Sequence, residues 1–148
     1  MIEYSSFEIE NLDECTRLFL KVYSRRPWDD RWESFDQAQN YLLEFINNPV
    51  FKGFVVLENT KIIGVCLGYQ RSWWAGKEYY LNEFYIDHEK QGKGIGTNFM
   101  KFIKKSIAKQ GFKMIVLMTG KGFPAEMFYK KNQFRERKSH IFMVCNRL

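Results

Sequence analysis

A chain of 148 residues with a net charge of +6 has the length for one domain, residues 1–148, with a sizeable core. Apolar residues at 45% and charged residues at 27% make an ordinary globular balance, and no apolar run is long enough to span a bilayer. The charge is uneven: Met1–Val50 carries ten acidic and five basic residues, whereas Phe51–Leu148 carries seven and eighteen. A basic body suits a polyanion and an acidic first third suits a cation; the rival reading is a merely solvated surface. The N-terminus has no signal-peptide pattern, so the expected compartment is the cytoplasm. Cys15, Cys66 and Cys145 lie in apolar-patterned segments without framework spacing and are expected to be buried free thiols, with no metal site.

Tyr4 to Glu10 alternates weakly and reads as a short strand. Asn11 with Glu14 offers a capping-box start, and Cys15, Leu18, Phe19 and Val22 follow at helical spacing, which predicts a helix over Leu12–Tyr23. Arg25 to Glu33 breaks the pattern at Pro27 and gathers Trp28, Asp29, Asp30, Trp32 and Glu33. Ser34 with Gln37 starts a second helix through Phe35, Ala38, Leu42, Phe45 and Ile46, which stops near Pro49. Gly53–Leu57 and Ile62–Tyr69 read as a hairpin. Arg71 to Lys77 reads as a loop carrying Trp73 and Trp74, and Glu78–Ile86 as a central strand.

The stretch from Leu81 to Met100, LNEFYIDHEKQGKGIGTNFM, is the most informative. An apolar strand runs into a charged turn, then into Gly92, Gly94 and Gly96, then into a helix carrying Ile95, Phe99, Phe102, Ile103 and Ile107 inward. Glycines let the backbone curl and approach a ligand, and a helix start presents unpaired N–H groups and a positive dipole end. Together these suit phosphate oxygens, with Lys93 as an added charge. A Walker-type loop is excluded because Gly94 follows Lys93, and a dinucleotide fingerprint because Thr97 or Phe99 stands in the last glycine slot. A plain glycine-rich turn is the structural alternative. Past the helix, Gly111 is a candidate C-cap, Lys113–Thr119 a buried strand, and Ala125–Lys131 a short helix entered through Pro124. Phe134–Arg137 and His140–Cys145 read as two closing strands.

Gln91, Gly94 and Gly96 stand as in the Gln/Arg-x-x-Gly-x-Gly/Ala signature, and the chain resembles the GCN5-related N-acetyltransferases. A second segment, AEMFYKKNQF, is similar to that family's A-x-x-L/F-Y-x-x-x-G-F, with Ala125, Phe128, Tyr129 and Phe134 in place and Gln133 where the glycine usually stands. The Asn that often precedes the alanine is Gly122 here. The order of elements, β-αα-βββ-α-β-α-ββ, matches the family's fold: an α/β mixed sheet with helices on both faces.

The resemblance implies an acetyl-CoA-dependent N-acetyltransferase. It places the pyrophosphate of coenzyme A on Gln91, Gly92, Lys93, Gly94, Ile95, Gly96 and Thr97. The pantetheine arm then falls along the backbone of Phe84, Tyr85 and Ile86 and beside Phe128. Glu83 is the candidate base, since an alkyl ammonium with pKa about 10.4 must lose a proton before it attacks. It can equally serve as an acceptor contact or pair with a lysine. Tyr129 is the implied acid for the departing thiolate, against the alternative of a packing ring. The acceptor pocket is expected at Trp28, Asp29, Asp30 and Glu33, where carboxylates beside indoles suit a cationic amine. The expected partner is a small-molecule amine, with a protein N-terminus or lysine as the alternative acceptor, and with neither nucleic acid nor membrane, in a monomer or homodimer. The reading from another class is a binding module without catalysis: a coenzyme A sensor, or a nucleic-acid binder stacking bases on Trp73 and Trp74.

Overall fold

The computed structural model describes residues 1–148. The chain divides into two compact units, Met1–Met118 and Thr119–Leu148.

The first unit is built on a five-stranded sheet: β1 Ile2–Ser6, β2 Phe51–Glu58, β3 Lys61–Trp73, β4 Gly76–Ile86 and β5 Phe112–Val116. The strands lie side by side in that order, β1 to β4 antiparallel and β5 parallel to β4. Strand alternation sends successive side chains to opposite faces. Val55, Val65, Leu67 and Tyr85 therefore meet helices α1, Leu12–Tyr23, and α2, Phe35–Ile46. Phe54 and Phe84 point the other way, where they pack on Phe102 and Phe99 of α3, Ile95–Ala108. The sheet is thus mixed and covered by helices on both faces, as the sequence predicts.

Helix α1 begins and ends where its apolar spacing predicts, and Cys15, Leu18, Phe19 and Val22 are its buried side. Leu42 of α2 is fully buried, so Leu42→Ala would remove about 2–5 kcal/mol. Ser34 caps α2 by accepting the Gln37 N–H at 3.0 Å. Asn11 does not cap α1. It ends a 3-10 turn, Ile9–Asn11, and its Oδ1 accepts the Glu8 N–H at 2.7 Å, so the capping box sits one turn earlier than predicted.

Two further expectations are corrected. Arg71–Lys77 is not a loop: the ladder continues to Trp73↔Gly76, and the hairpin turns only at Trp74 and Ala75. Neither Phe134–Arg137 nor His140–Cys145 forms a strand. An apolar run becomes a strand only through backbone pairing, and these segments enter no ladder. Ile141, Phe142, Met143 and Val144 are exposed, as is Cys145, which therefore departs from the buried thiols Cys15 and Cys66.

The second unit carries α4, Pro124–Lys131, with Pro124 in its first turn as predicted. Its end is a Schellman motif: Phe134 N–H donates to the Tyr129 carbonyl at 3.0 Å and Gln133 N–H to the Lys130 carbonyl at 3.2 Å. Gln133 takes φ +73°, the conformation that a glycine adopts without strain.

Candidate active site

Three features of β4 and its neighbours shape the site in the first unit. The pairing of β3 with β4 shifts register between Leu67↔Glu83 and Gly68↔Leu81, which leaves Asn82 as an extra residue. A bulge of this kind bends a strand and re-aims its side chains. The side-chain oxygen of Asn82 is buried without a hydrogen-bond partner. The pairing of β4 with β5 ends at Tyr80↔Val116, so β5 does not cover the edge of β4 from Leu81 to Ile86. A strand edge of this kind can pair with an extended amide-bearing ligand.

Glu83 projects from β4 towards α1 and α2. Its Oε1 accepts a 2.7 Å hydrogen bond from the Tyr41 hydroxyl of α2. Burial pushes the Glu83 carboxyl up to about 7, the Tyr41 hydrogen bond pulls it back, and the charge of Asp30 adds to the rise. Burial and the facing Glu83 charge likewise hold the Tyr41 phenol well above its ordinary value. Glu83 and Tyr41 lie in the wall of a cavity of about 80 Å³ with Phe19, Tyr23, Asp30 and Trp32. The rings interlock: Phe19 meets Trp32 at 5.3 Å between centroids and 67°, and Trp32 meets Tyr41 at 5.1 Å. The Trp32 indole N–H donates to Asp30 Oδ2 at 3.4 Å, and the Asp30 N–H to the Tyr23 carbonyl at 2.9 Å.

Of the residues expected around the acceptor, Asp30 and Glu83 line this cavity; Trp28, Asp29 and Glu33 do not. Trp28 packs edge-on against Tyr23, and Asp29 sits in a turn with φ +52°. Phe19, Tyr23 and Tyr41 escaped the sequence reading. The available signal was Tyr41 itself: a tyrosine within an amphipathic helix carries a hydroxyl that needs a partner when it is buried.

The side chains of Phe84, Tyr85 and Ile86 are taken up by packing. Phe84 stacks on Phe99, Tyr85 donates its hydroxyl to the Cys15 carbonyl at 2.9 Å, and Ile86 is buried. The edge of β4 that β5 leaves uncovered presents backbone here. The Phe84 carbonyl already accepts the Tyr23 hydroxyl at 3.3 Å, and the Ile86 carbonyl accepts the Gln91 amide at 3.1 Å. Gln91 thus folds back onto the end of β4.

Beyond β4 the chain is pinned before it enters the glycines. Asp87, 1% exposed, caps the 3-10 turn His88–Lys90 by accepting the Glu89 N–H, and also accepts the Lys21 ammonium at 2.9 Å. Burial raises the Asp87 carboxyl, but Lys21 and that backbone N–H outweigh it and hold it below its ordinary value. Lys21 also binds Glu89 at 2.7 Å, so an ion network occupies both carboxylates of the Asp87, His88, Glu89 cluster. Gly92 and Gly94 then take φ +79°. A Cβ built on either would meet no atom within 4 Å, so no protein atom fills the space beside these glycines. Gly94 is the N-cap of α3, supplies no capping side chain, and is followed by no acidic residue in the first turn. At this helix start the N–H groups of Ile95 and Gly96 have no intrahelical partner, and Lys93 precedes them in sequence.

In the second unit, Tyr129 is buried and its ring packs against Phe128 at 5.4 Å and Phe134 at 5.3 Å. Gly122, φ +82°, donates its N–H to Glu126 Oε1 at 2.7 Å.

Residues 11–134 match the model of the acetyltransferase (GNAT) family. The chain belongs to that family. GNAT proteins use acetyl-CoA. No curated protein matches the sequence. Solved structures share the fold at low identity. An aminoglycoside acetyltransferase from an uncultured soil metagenomic sample, in complex with sisomicin, is 18% identical over 98% of this chain and 97% of its own, with a TM-score of 0.75. A possible acetyltransferase from Clostridium difficile 630 is 15% identical over 97% of both chains, with a TM-score of 0.81. An aminoglycoside N-acetyltransferase in complex with CoA is 11% identical over 99% of this chain and 95% of its own, with a TM-score of 0.77. No helix of this GNAT protein is long and apolar enough to cross a membrane.

Proposed function

We propose that the protein is an acetyl-CoA-dependent N-acetyltransferase acting on a primary amine of a small cationic molecule. The observation that supports this most is Glu83: a carboxylate in the wall of an aromatic cavity, raised to about 7 by burial and hydrogen-bonded by Tyr41. An ordinary carboxylate is too weak a base for an ammonium of pKa about 10.4, and one near 7 narrows that gap while staying substantially ionised at neutral pH. Asp30 supplies a second negative charge, which draws a cation towards the cavity. Glu83 takes the ammonium proton, directly or through water, and frees the lone pair of the nitrogen.

Acetyl-CoA supplies the acetyl group as a thioester. The N–H groups of Ile95, Gly96 and Thr97, the open loop at Gly92 and Gly94, and Lys93 would hold its pyrophosphate. The backbone edge of Phe84, Tyr85 and Ile86 would meet its pantetheine amides. By the family resemblance, Tyr129 would supply the proton to the departing thiolate. Two structural neighbours are themselves aminoglycoside acetyltransferases, an acceptor class of small polycationic amines compatible with this reading.

The test is release of free thiol from acetyl-CoA across a panel of amines. The proposal requires release that depends on both the amine and the protein. A protein that binds acetyl-CoA yet releases no thiol with any amine would contradict it.

A further inference from the structure

The dimensions and lining of the cavity specify more than a positive charge. We propose that it recognises an unbranched aminomethyl head, –CH2–NH3+, and rejects amines that carry a substituent on the carbon next to nitrogen. This inference rests on the amine-acceptor reading above and names the acceptor class within it.

The cavity holds about 80 Å³. Clefts that enclose a whole drug-sized ligand hold roughly 300–1,000 Å³. It therefore takes a short head group and leaves the rest of the acceptor outside. Four rings form its sides: Phe19, Tyr23, Trp32 and Tyr41. Phe19 touches the other three, at 4.9 Å from Tyr23, 5.3 Å from Trp32 and 5.8 Å from Tyr41. Rings braced against one another resist moving apart singly, so the slot yields little to a wider head group.

The polar groups are two carboxylates. Glu83 Oε1 is taken by Tyr41 and Asp30 Oδ2 by Trp32, while Glu83 Oε2 and Asp30 Oδ1 accept no hydrogen bond within the protein. An ammonium offers three N–H donors and no acceptor, which suits two such oxygens. The adjoining CH2 is apolar, weakly positive and narrow, and it suits the faces of aromatic rings. A methyl group on that carbon would press into a ring. A carboxylate on it, as in an α-amino acid, would also face two like charges. The slot thus selects side-chain and sugar aminomethyl groups, or the ends of polyamines, over α-amino groups.

Calorimetric titration of the CoA-loaded full-length protein with n-butylamine, sec-butylamine and norvaline tests this, with thiol release from acetyl-CoA measured alongside. n-Butylamine should bind at least about tenfold tighter than its branched isomer, one decade being a small steric penalty, and norvaline should not bind. Trp32→Leu, which removes a ring face but keeps apolar bulk, should weaken n-butylamine by about 2- to 30-fold, the span of one cation–π contact, and leave CoA affinity unchanged. Equal binding of the two butylamines, or none of n-butylamine, would overturn the inference, and this comparison on the parent protein stands even if Trp32→Leu fails to fold. The two readings fail separately. Amine-dependent thiol release that is equal for both isomers removes the head-group selection only. Selective binding without thiol release from any amine removes the acetyltransferase reading.

Discussion

The Tyr41 hydroxyl of α2 donates a 2.7 Å hydrogen bond to Oε1 of Glu83 on β4, across 42 residues of sequence. That contact holds the carboxylate form and opposes the rise that burial imposes. Glu83 is protonated and inactive as a base below its pKa, so kcat/KM should climb with pH and level off above about 7. Tyr41→Phe removes the donor, raises the pKa, and should move this acid limb up by about one unit. Asp30→Asn removes a neighbouring negative charge and should move it down. Profiles of kcat/KM from pH 5.5 to 9 at fixed ionic strength check both directions.

Gly94→Asp should abolish most acetyl-CoA binding while the fold survives. The added Cβ meets no protein atom, and Asp is among the side chains that tolerate a left-handed backbone. Its carboxylate would instead stand at the N-terminus of α3, the proposed site of the pyrophosphate. We expect affinity to fall at least tenfold by titration, and Gly94→Asn, with similar strain and no charge, to lose less. The outcome against this site is a folded Gly94→Asp protein with undiminished affinity.

The helices and the central sheet were legible because local rules decide them. The apolar stripe Cys15, Leu18, Phe19, Val22 defines α1, and the short polar link between Leu57 and Ile62 defines a hairpin. The C-terminal segment was not legible, since HIFMVC has strand composition and the missing element is a partner strand. Trp73 and Trp74 misled in the opposite sense: a polar, Trp-rich stretch hid a ladder that continues to Trp73↔Gly76. In the site, Glu83 stood out as a carboxylate inside an apolar strand. Asp30 and Asp29 cannot be told apart by composition, yet only Asp30 lines the cavity. Tyr41 and Tyr23 were hidden because their roles exist only after α1 and α2 pack on β4.

Tyr129→Phe keeps the ring contacts with Phe128 and Phe134 and removes the proton donor. A general acid contributes typically about 10²–10⁴-fold. Turnover should fall by roughly one to three decades with acetyl-CoA affinity nearly unchanged. Single-turnover rates equal to the parent's would leave Tyr129 as a packing residue.

Gln133→Gly should stabilise the protein. Gln133 holds φ +73° at the Schellman end of α4, where a non-glycine residue is strained by about 1–2 kcal/mol. Glycine relieves that and loses part of the gain to its greater freedom when unfolded. A net gain of about 0.5–1 kcal/mol is expected from these terms, read as a higher Tm with unchanged kcat. A lower Tm would mean that the Gln133 side chain contributes more than its backbone strain removes.

The most direct test of the account compares Glu83→Gln with the parent, following thiol release from acetyl-CoA with n-butylamine between pH 5.5 and 9. The variant keeps the shape of the side chain and an oxygen for the Tyr41 hydroxyl, and loses the negative charge together with the ability to take a proton. The account predicts that the parent's rise through about pH 7 disappears, and that turnover near pH 7.5 drops by about 10²-fold or more. A folded Glu83→Gln protein with the parent's rate and the parent's pH profile would contradict it.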